Sequence, residues 1–519
     1  MIEFLIFFQR SCTTYLTMEI LGEYFTIGNL LLTLLLIFVV GFLIKYCWKR
    51  RRIYYYSAKI EGPFGLPFLG TIHPFLKGKD AHFTKTMELV EKYRPIGKIW
   101  FGSHFYVMIS EVEDVEKLMK RCLAKEQMYE FLKPALGHGI LTAKLSTWGL
   151  HRKILNQTFN QTILNSYFAI IIKHSNSLII DLKENYANIQ TDIFKRYGDC
   201  TLKTICDTCI GVDSSEWNQQ DEFMRWLAQG QALIGNRLLN PLYHSDIVWK
   251  LFGSENAVAE LCAKAFAFVR EIVFRKKQLL ENENCGDTKY KDFLSCLIKV
   301  TEEENKWSNE ELVEETVTMI IAGSDTTAVT LSFTTIMLAM HQDVQRRAYQ
   351  EMLDIFENNT REPTLDDLSR MVYLECVIKE TMRLFPVGPV LFRKVLEDVV
   401  IRDTVIPEGS NLLIPVHHIH RSAKYWPNPL KFDPDRFKPE EVEKRPRYCY
   451  MPFSIPPRNC IGMRFAMMSM KVYLSNVLRN FQIVSTQYES IETIRLHVDV
   501  IISAPDGYGV TLKPRTEKI

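Results

Sequence analysis

Paired cysteines, net charge, and glycine and proline in excess are all scarce in this chain. Each scarcity excludes a class of protein. The 12 cysteines among 519 residues are scattered singly, apart from Cys206 and Cys209, which excludes a small disulfide-stapled domain and fits reduced thiols. With 24 Gly and 21 Pro the chain is neither a collagen-like fibre nor a disordered linker. Its 63 Lys and Arg against 61 Asp and Glu leave +2, so the average charge does not point to nucleic acid. No internal repeat or low-complexity linker is found. What is present is a 47% apolar chain, long enough for two or three ordinary domains or one large core.

The near-zero charge hides a local asymmetry. Residues 1–44 hold one Arg and three Glu, whereas residues 45–52 hold Lys45, Lys49, Arg50, Arg51 and Arg52. Before this basic cluster, residues 25–44 are uncharged and rich in Leu, Ile, Val and Phe. As a helix, twenty residues span roughly 30 Å, the thickness of a bilayer core. The basic residues follow the apolar run instead of preceding it, which predicts a retained signal anchor with residues 1–24 in the lumen. The positive flank predicts that everything after it lies in the cytosol. Residues 45–70 then read as a basic and proline-rich linker, with Pro63 and Pro67 stiffening it.

From residue 75 to about 390 the pattern is mostly helical. The strongest helix signal starts at Ser308, where Ser308 and Glu311 make a capping box and no proline follows until beyond Met340. In its middle stands Ala322-Gly-Ser-Asp-Thr-Thr327, where glycine costs about 1 kcal/mol relative to alanine and Asp and Thr compete for backbone hydrogen bonds. Such a cluster predicts a local widening over a ligand, with an acid and a hydroxyl beside it. After residue 390, Val399 to Gly409 and Asn411 to Val416 read as short strands. Helix returns over Arg464 to Leu478, and the last forty residues read as strands and turns. His417, His418 and His420 could suggest a metal site, but at strand spacing His417 and His418 point to opposite faces, which suits a structural role. Cys206 and Cys209 form a lone C-x-x-C, suited to buried helix positions more than to metal.

Cys460 lies in Pro452-Phe-Ser-Ile-Pro-Pro-Arg-Asn-Cys-Ile-Gly462, where a turn feeds a helix. A thiol there gains from the helix dipole and free backbone N–H groups, and a thiolate can serve as an axial ligand to haem iron. Gly462 lets the backbone approach a flat cofactor, and Phe453 can shield the sulfur.

At this point the chain resembles the cytochrome P450 family, in order and over nearly its full length. Trp148-Gly-Leu-His-Arg152 is similar to the W-x-x-x-R element that meets a haem propionate. Ala322 and Gly323 through Thr327 resemble the oxygen-binding groove of the long central helix. Glu380-Thr-Met-Arg383 is similar to the E-x-x-R pair, which Arg436 would complete. Arg393 and Arg458 match two further propionate partners, and Cys460 matches the thiolate ligand of the iron. The resemblance implies a mainly α fold with small β-sheets over residues 71–519, binding haem b. It also implies Asp325 and Thr326 as the proton-delivery pair.

The implied activity is insertion of one oxygen atom from O2 into a lipophilic substrate (a fatty acid, a hormone-like lipid or a xenobiotic). Electrons would come from NADPH through NADPH-cytochrome P450 reductase, with cytochrome b5 as a further donor and the endoplasmic reticulum membrane as the site. Lys444, Arg445 and Arg447 could contact an acidic donor. The segments around Phe385 and His420 resemble the fatty-acid ω-hydroxylase group most. Members that link haem covalently carry Glu where Ala322 stands, so no ester link is expected. The loop also departs from the family: Pro456 takes the place of a glycine, which predicts a rearranged bulge. The alternative function is therefore a haem-binding protein with lost or reduced turnover, a binder or sensor.

Overall fold

A computed structural model describes residues 29–66, 70–71, 82–211, 220–282, 292–304, 307–357 and 360–515. The expected lumenal segment 1–24 lies outside them. The chain forms two compact units, residues 1–59 and residues 60–519. Their boundary falls inside the stretch read as a linker.

In the first unit, helix α1 (Asn29–Lys49) has a mean hydropathy of 2.5 and no burial, and it is long and apolar enough to cross a bilayer. It continues five residues beyond the expected end at Ile44. A short second helix follows at Arg51–Ser57, so part of the expected linker is helical.

The principal helices of the second unit are α2 (Leu145–Thr158), α3 (Ile193–Ile210), α4 (Gln220–Leu239), α5 (Asn309–Met340), α6 (Val372–Leu384) and α7 (Met463–Asn480). Its strands are β1 (Ile96–Phe101), β2 (His104–Ile109), β3 (Gln190–Asp192), β4 (Leu391–Lys394), β5 (Val399–Ile401), β6 (Thr404–Ile406), β7 (Asn411–Ile414), β8 (Phe481–Thr486), β9 (His497–Val498), β10 (Ile502–Ser503) and β11 (Gly509–Pro514). They form a four-stranded sheet β1-β2-β7-β4, a three-stranded sheet β3-β11-β8 and two hairpins.

The β1–β2 hairpin stands where helix was expected. Its residues pair in antiparallel register from Ile96 with Ile109 to Phe101 with His104, and Gly102 (φ 56°) makes the turn. The β7 strand then adds to β2 in parallel and to β4 in antiparallel fashion.

Helix α5 is the spine. Ser308 caps its start through the Glu311 N–H, and the Glu311 side chain returns to the Ser308 N–H, as the capping box requires. Apolar residues surround it on nearly every side, so it packs through the centre against α3, α6 and α7. Val317, Ile320, Leu331, Phe333 and Ile336 are fully buried there, each stabilising by roughly 1.5–3 kcal/mol relative to exposure. The helix runs uninterrupted through 322–327, in place of the expected widening. The hydroxyls of Thr326, Thr327 and Thr330 bond the carbonyls four residues back, satisfying themselves within the helix.

His417 to His420 also differ from expectation. Val416–Ile419 is a helical turn, not a strand.

Candidate active site

Between α5 and the Cys460 loop lies a cavity of about 660 Å³. The loop that carries the cysteine closes on itself: the Cys460 N–H donates to the Phe453 carbonyl at 2.9 Å. The left-handed conformation falls on Ser454 (φ 62°), so the loop turns there and Pro456 keeps its own φ. Gly462 then caps α7. A Cβ added to Gly462 would stand 4.0 Å from the Cys460 sulfur, which leaves the cavity side of the loop flat.

The Cys460 sulfur opens onto the cavity. Among protein atoms alone, burial pushes its thiol up, while the Gly462 N–H and the Arg152 charge pull the other way. A neighbouring metal cation would reverse that balance.

Cations gather on one side. Arg152, on α2, is tied to the loop by hydrogen bonds to the Asn459 carbonyl (2.7 Å) and side chain (3.2 Å). Arg458 is 7% exposed and lies 4.5 Å over the Trp148 ring. Its Nε and Nη1 have no hydrogen-bond partner, and neither has Nε of the buried Arg393. Burial, then the charge of Arg393, pushes Arg458 down to about 10. Lys125 is pushed well down by burial and by Arg393 and Arg458. Unpartnered guanidinium N–H groups and mutually repelling cations call for anions. Two carboxylates on a flat group with a thiolate-seeking metal fit this donor set. Arg393 does not line the cavity; it stands behind, with Tyr129 as its neighbour.

Helix α5 supplies the opposite wall. Ala322 faces the cavity. A Cβ on Gly323 would come within 2.7 Å of Ile205, so this glycine permits close packing of α5 on α3. Asp325 accepts from Gln231 of α4 at 2.8 Å, and burial raises its carboxyl. The Thr326 hydroxyl donates to the Ala322 carbonyl at 2.7 Å. Both side chains line the cavity, but neither meets the other.

The loop rests on a buried scaffold. Arg383 donates from Nε and Nη2 to the two oxygens of Glu380 at 2.7 and 2.8 Å, with both side chains fully buried. Arg436 Nε lies 3.4 Å from Glu380, completing the expected triad. Sequence reasoning missed how this scaffold reaches the cysteine. Arg383 donates to the His420 carbonyl at 2.9 Å, and His420 Nε2 accepts from the Met451 N–H at 2.8 Å, next to Pro452 at the head of the loop. Lys125 was missed too, since an isolated lysine carries no pattern. Cys206 and Cys209 are buried thiols, and among the described residues no cluster of three His, Cys, Asp or Glu could hold a metal.

Comparison with known proteins agrees with this geometry. The family model described as cytochrome P450 matches residues 60–512. The chain is 34% identical to cytochrome P450 4V2 of Pongo abelii over 468 residues, covering 86% of this chain and 88% of that protein. It is 33% identical to cytochrome P450 4c21 of Blattella germanica (82% and 87% covered) and 30% identical to cytochrome P450 4c3 of Drosophila melanogaster (92% and 94% covered). Haem with a cysteine thiolate on its iron is the cofactor this family implies. The chain belongs to the cytochrome P450 family of monooxygenases.

Proposed function

We propose that the protein is a membrane-anchored monooxygenase that oxidises a lipophilic substrate within the 660 Å³ cavity, with Cys460 as the thiolate ligand of haem b. The observation that carries the assignment is one cavity lined by the Cys460 sulfur, the Arg458 guanidinium with its unpartnered Nε and Nη1, and Asp325 and Thr326 of α5. When bound, haem supplies oxygen activation at iron, favoured by electron donation from the thiolate.

This chain's own residues do the rest. Trp148, Arg152, Arg458 and Lys125 would hold the haem carboxylates, with Arg393 supporting them from behind. Phe453, Ala322 and Gly462 keep the faces of the slot apolar or flat. Asp325, whose carboxyl burial raises, and the Thr326 hydroxyl both stand on the cavity wall, where they would relay protons to a distal oxygen. Ile205, Phe293 and Val500 supply apolar surface for the substrate. Electrons from NADPH through a reductase, with cytochrome b5 as a second donor, and α1 in the endoplasmic reticulum membrane complete the reading.

The test uses the full chain, reduced and exposed to carbon monoxide. A strongly red-shifted Soret band supports the thiolate assignment, and Cys460→Ala should remove it. Haem-free protein would refute the reading. An intact band with no NADPH consumption in the presence of reductase would favour a binder or sensor.

A further inference from the structure

The ionisable groups of the cavity are sorted by charge. Its basic side chains, Lys125, Arg152 and Arg458, gather beside Trp148 and the Cys460 loop. Among the described residues, no other Lys, Arg or His lines it. The wall built on α4 carries acids instead. Asp325 meets Gln231 there, and its second oxygen has the Ser324 hydroxyl at 3.4 Å, longer than a good hydrogen bond. Asp499 lies in the turn between β9 and β10, with His497 Nε2 at 3.1 Å from Oδ1. It packs so closely on α4 that a Cβ on Gly235 would stand 2.8 Å from its carboxyl carbon. Only glycine allows that approach. Gln231 and Gly235 are four residues apart, so one face of α4 meets both carboxylates.

We propose that this wall selects a substrate whose polar end donates a hydrogen bond, a long-chain alcohol rather than a long-chain carboxylate, with Asp499 as a specificity-determining residue. The proposal rests on the monooxygenase reading above and names the substrate class of that same cavity. A hydroxyl donating to a carboxylate forms a charge-assisted bond, stronger than one between neutral groups. A substrate carboxylate beside Asp499 would instead face a like charge, offset by no Lys or Arg of that wall and only by the His497 imidazole 3.1 Å from Oδ1.

The test compares 1-hexadecanol with hexadecanoate at pH 8 on the full-length, haem-loaded protein. Binding is read from the change in haem absorption and, independently, from the rise in unfolding temperature. The alcohol should bind about tenfold more tightly than the carboxylate, a difference set by like-charge repulsion. Asp499→Lys should collapse or invert that ratio, and Asp499→Asn, which keeps the size, should narrow it. Equal or tighter binding of hexadecanoate to the unaltered protein would overturn the proposal, as would a ratio unchanged in both variants. Absence of the thiolate Soret band would instead refute the underlying reading, before any ligand is added.

Discussion

His151 Nδ1 lies 2.7 Å from Glu315 Oε1, and both side chains are buried. The contact joins α2, which carries Trp148 and Arg152, to α5, which carries Asp325 and Thr326. Trp307 covers the imidazole at 4.5 Å, and Glu311 approaches its other nitrogen at 3.6 Å. Burial alone would lower His151, but the hydrogen bond and charge of Glu315, with Glu311, raise it above 6.5. Burial raises Glu315 above 4.5. Both groups therefore bind protons on folding, and that contribution is present at low pH and lost as pH rises. The unfolding temperature should fall as pH climbs above 6.5 through the folded value of His151. His151→Phe should flatten this slope, and a slope unchanged in that variant would contradict the account. Glu315→Ala removes one partner of a buried pair and should destabilise by about 3–5 kcal/mol.

Glu380 and Arg383 should be the least replaceable pair. Their side chains are fully buried, and Arg383 also donates to the carbonyls of His420 and Pro429 at 2.9 and 2.8 Å. Arg383→Leu strands Glu380 and the carbonyls of His420, Pro429 and Lys431, at a cost of about 3–5 kcal/mol. Arg436→Ala should cost less, because Arg436 reaches Glu380 only at 3.4 Å and bonds Pro427 and Asn428 otherwise. Unfolding temperatures of the two variants should rank in that order.

His420 should give a signal of opposite sign with pH. Burial, then the Arg383 charge, pushes its imidazole down to about 3. The folded protein therefore holds fewer protons here than the unfolded chain. The stability it contributes is full above 6.5 and lost as pH falls toward 3. His420→Ala leaves the Met451 N–H without an acceptor, at a cost of about 1–3 kcal/mol, and should flatten this acid limb. Thermal unfolding between pH 4 and 7 checks both effects.

Arg458 should separate cofactor retention from folding. Its Nε and Nη1 have no protein partner, and Nη2 reaches the Ala143 carbonyl only at 3.4 Å. Arg458→Leu should therefore change the stability of the haem-free protein little while lowering the haem content per chain. A variant that retains haem as well as the unaltered protein would remove Arg458 from the carboxylate set.

What could be read before folding was whatever short-range chemistry enforces. The capping box at Ser308, the one long apolar run and the i,i+3 spacing of Glu380 and Arg383 each act within a few residues, and each stands as expected. The β1–β2 hairpin was not read, because its six-residue strands are too short to outweigh the helical segments around them. The turn at Val416–Ile419 was misread as strand, since four residues show no decisive period.

The sequence by itself determined that a lone cysteine would precede a helix, that a hydroxyl and an acid would stand in the middle of the long helix begun at Ser308, and that basic residues would flank the anchor. Only the tertiary structure decided the partners. Asp325 turns to Gln231, 94 positions away, and His420 grips Met451 at the head of the cysteine loop. Asp499 presses on Gly235, and Lys125 comes under the repelling charge of Arg458 across more than three hundred residues. Such pairings depend on which faces meet when the core excludes water, and burial then sets the charge each group can hold.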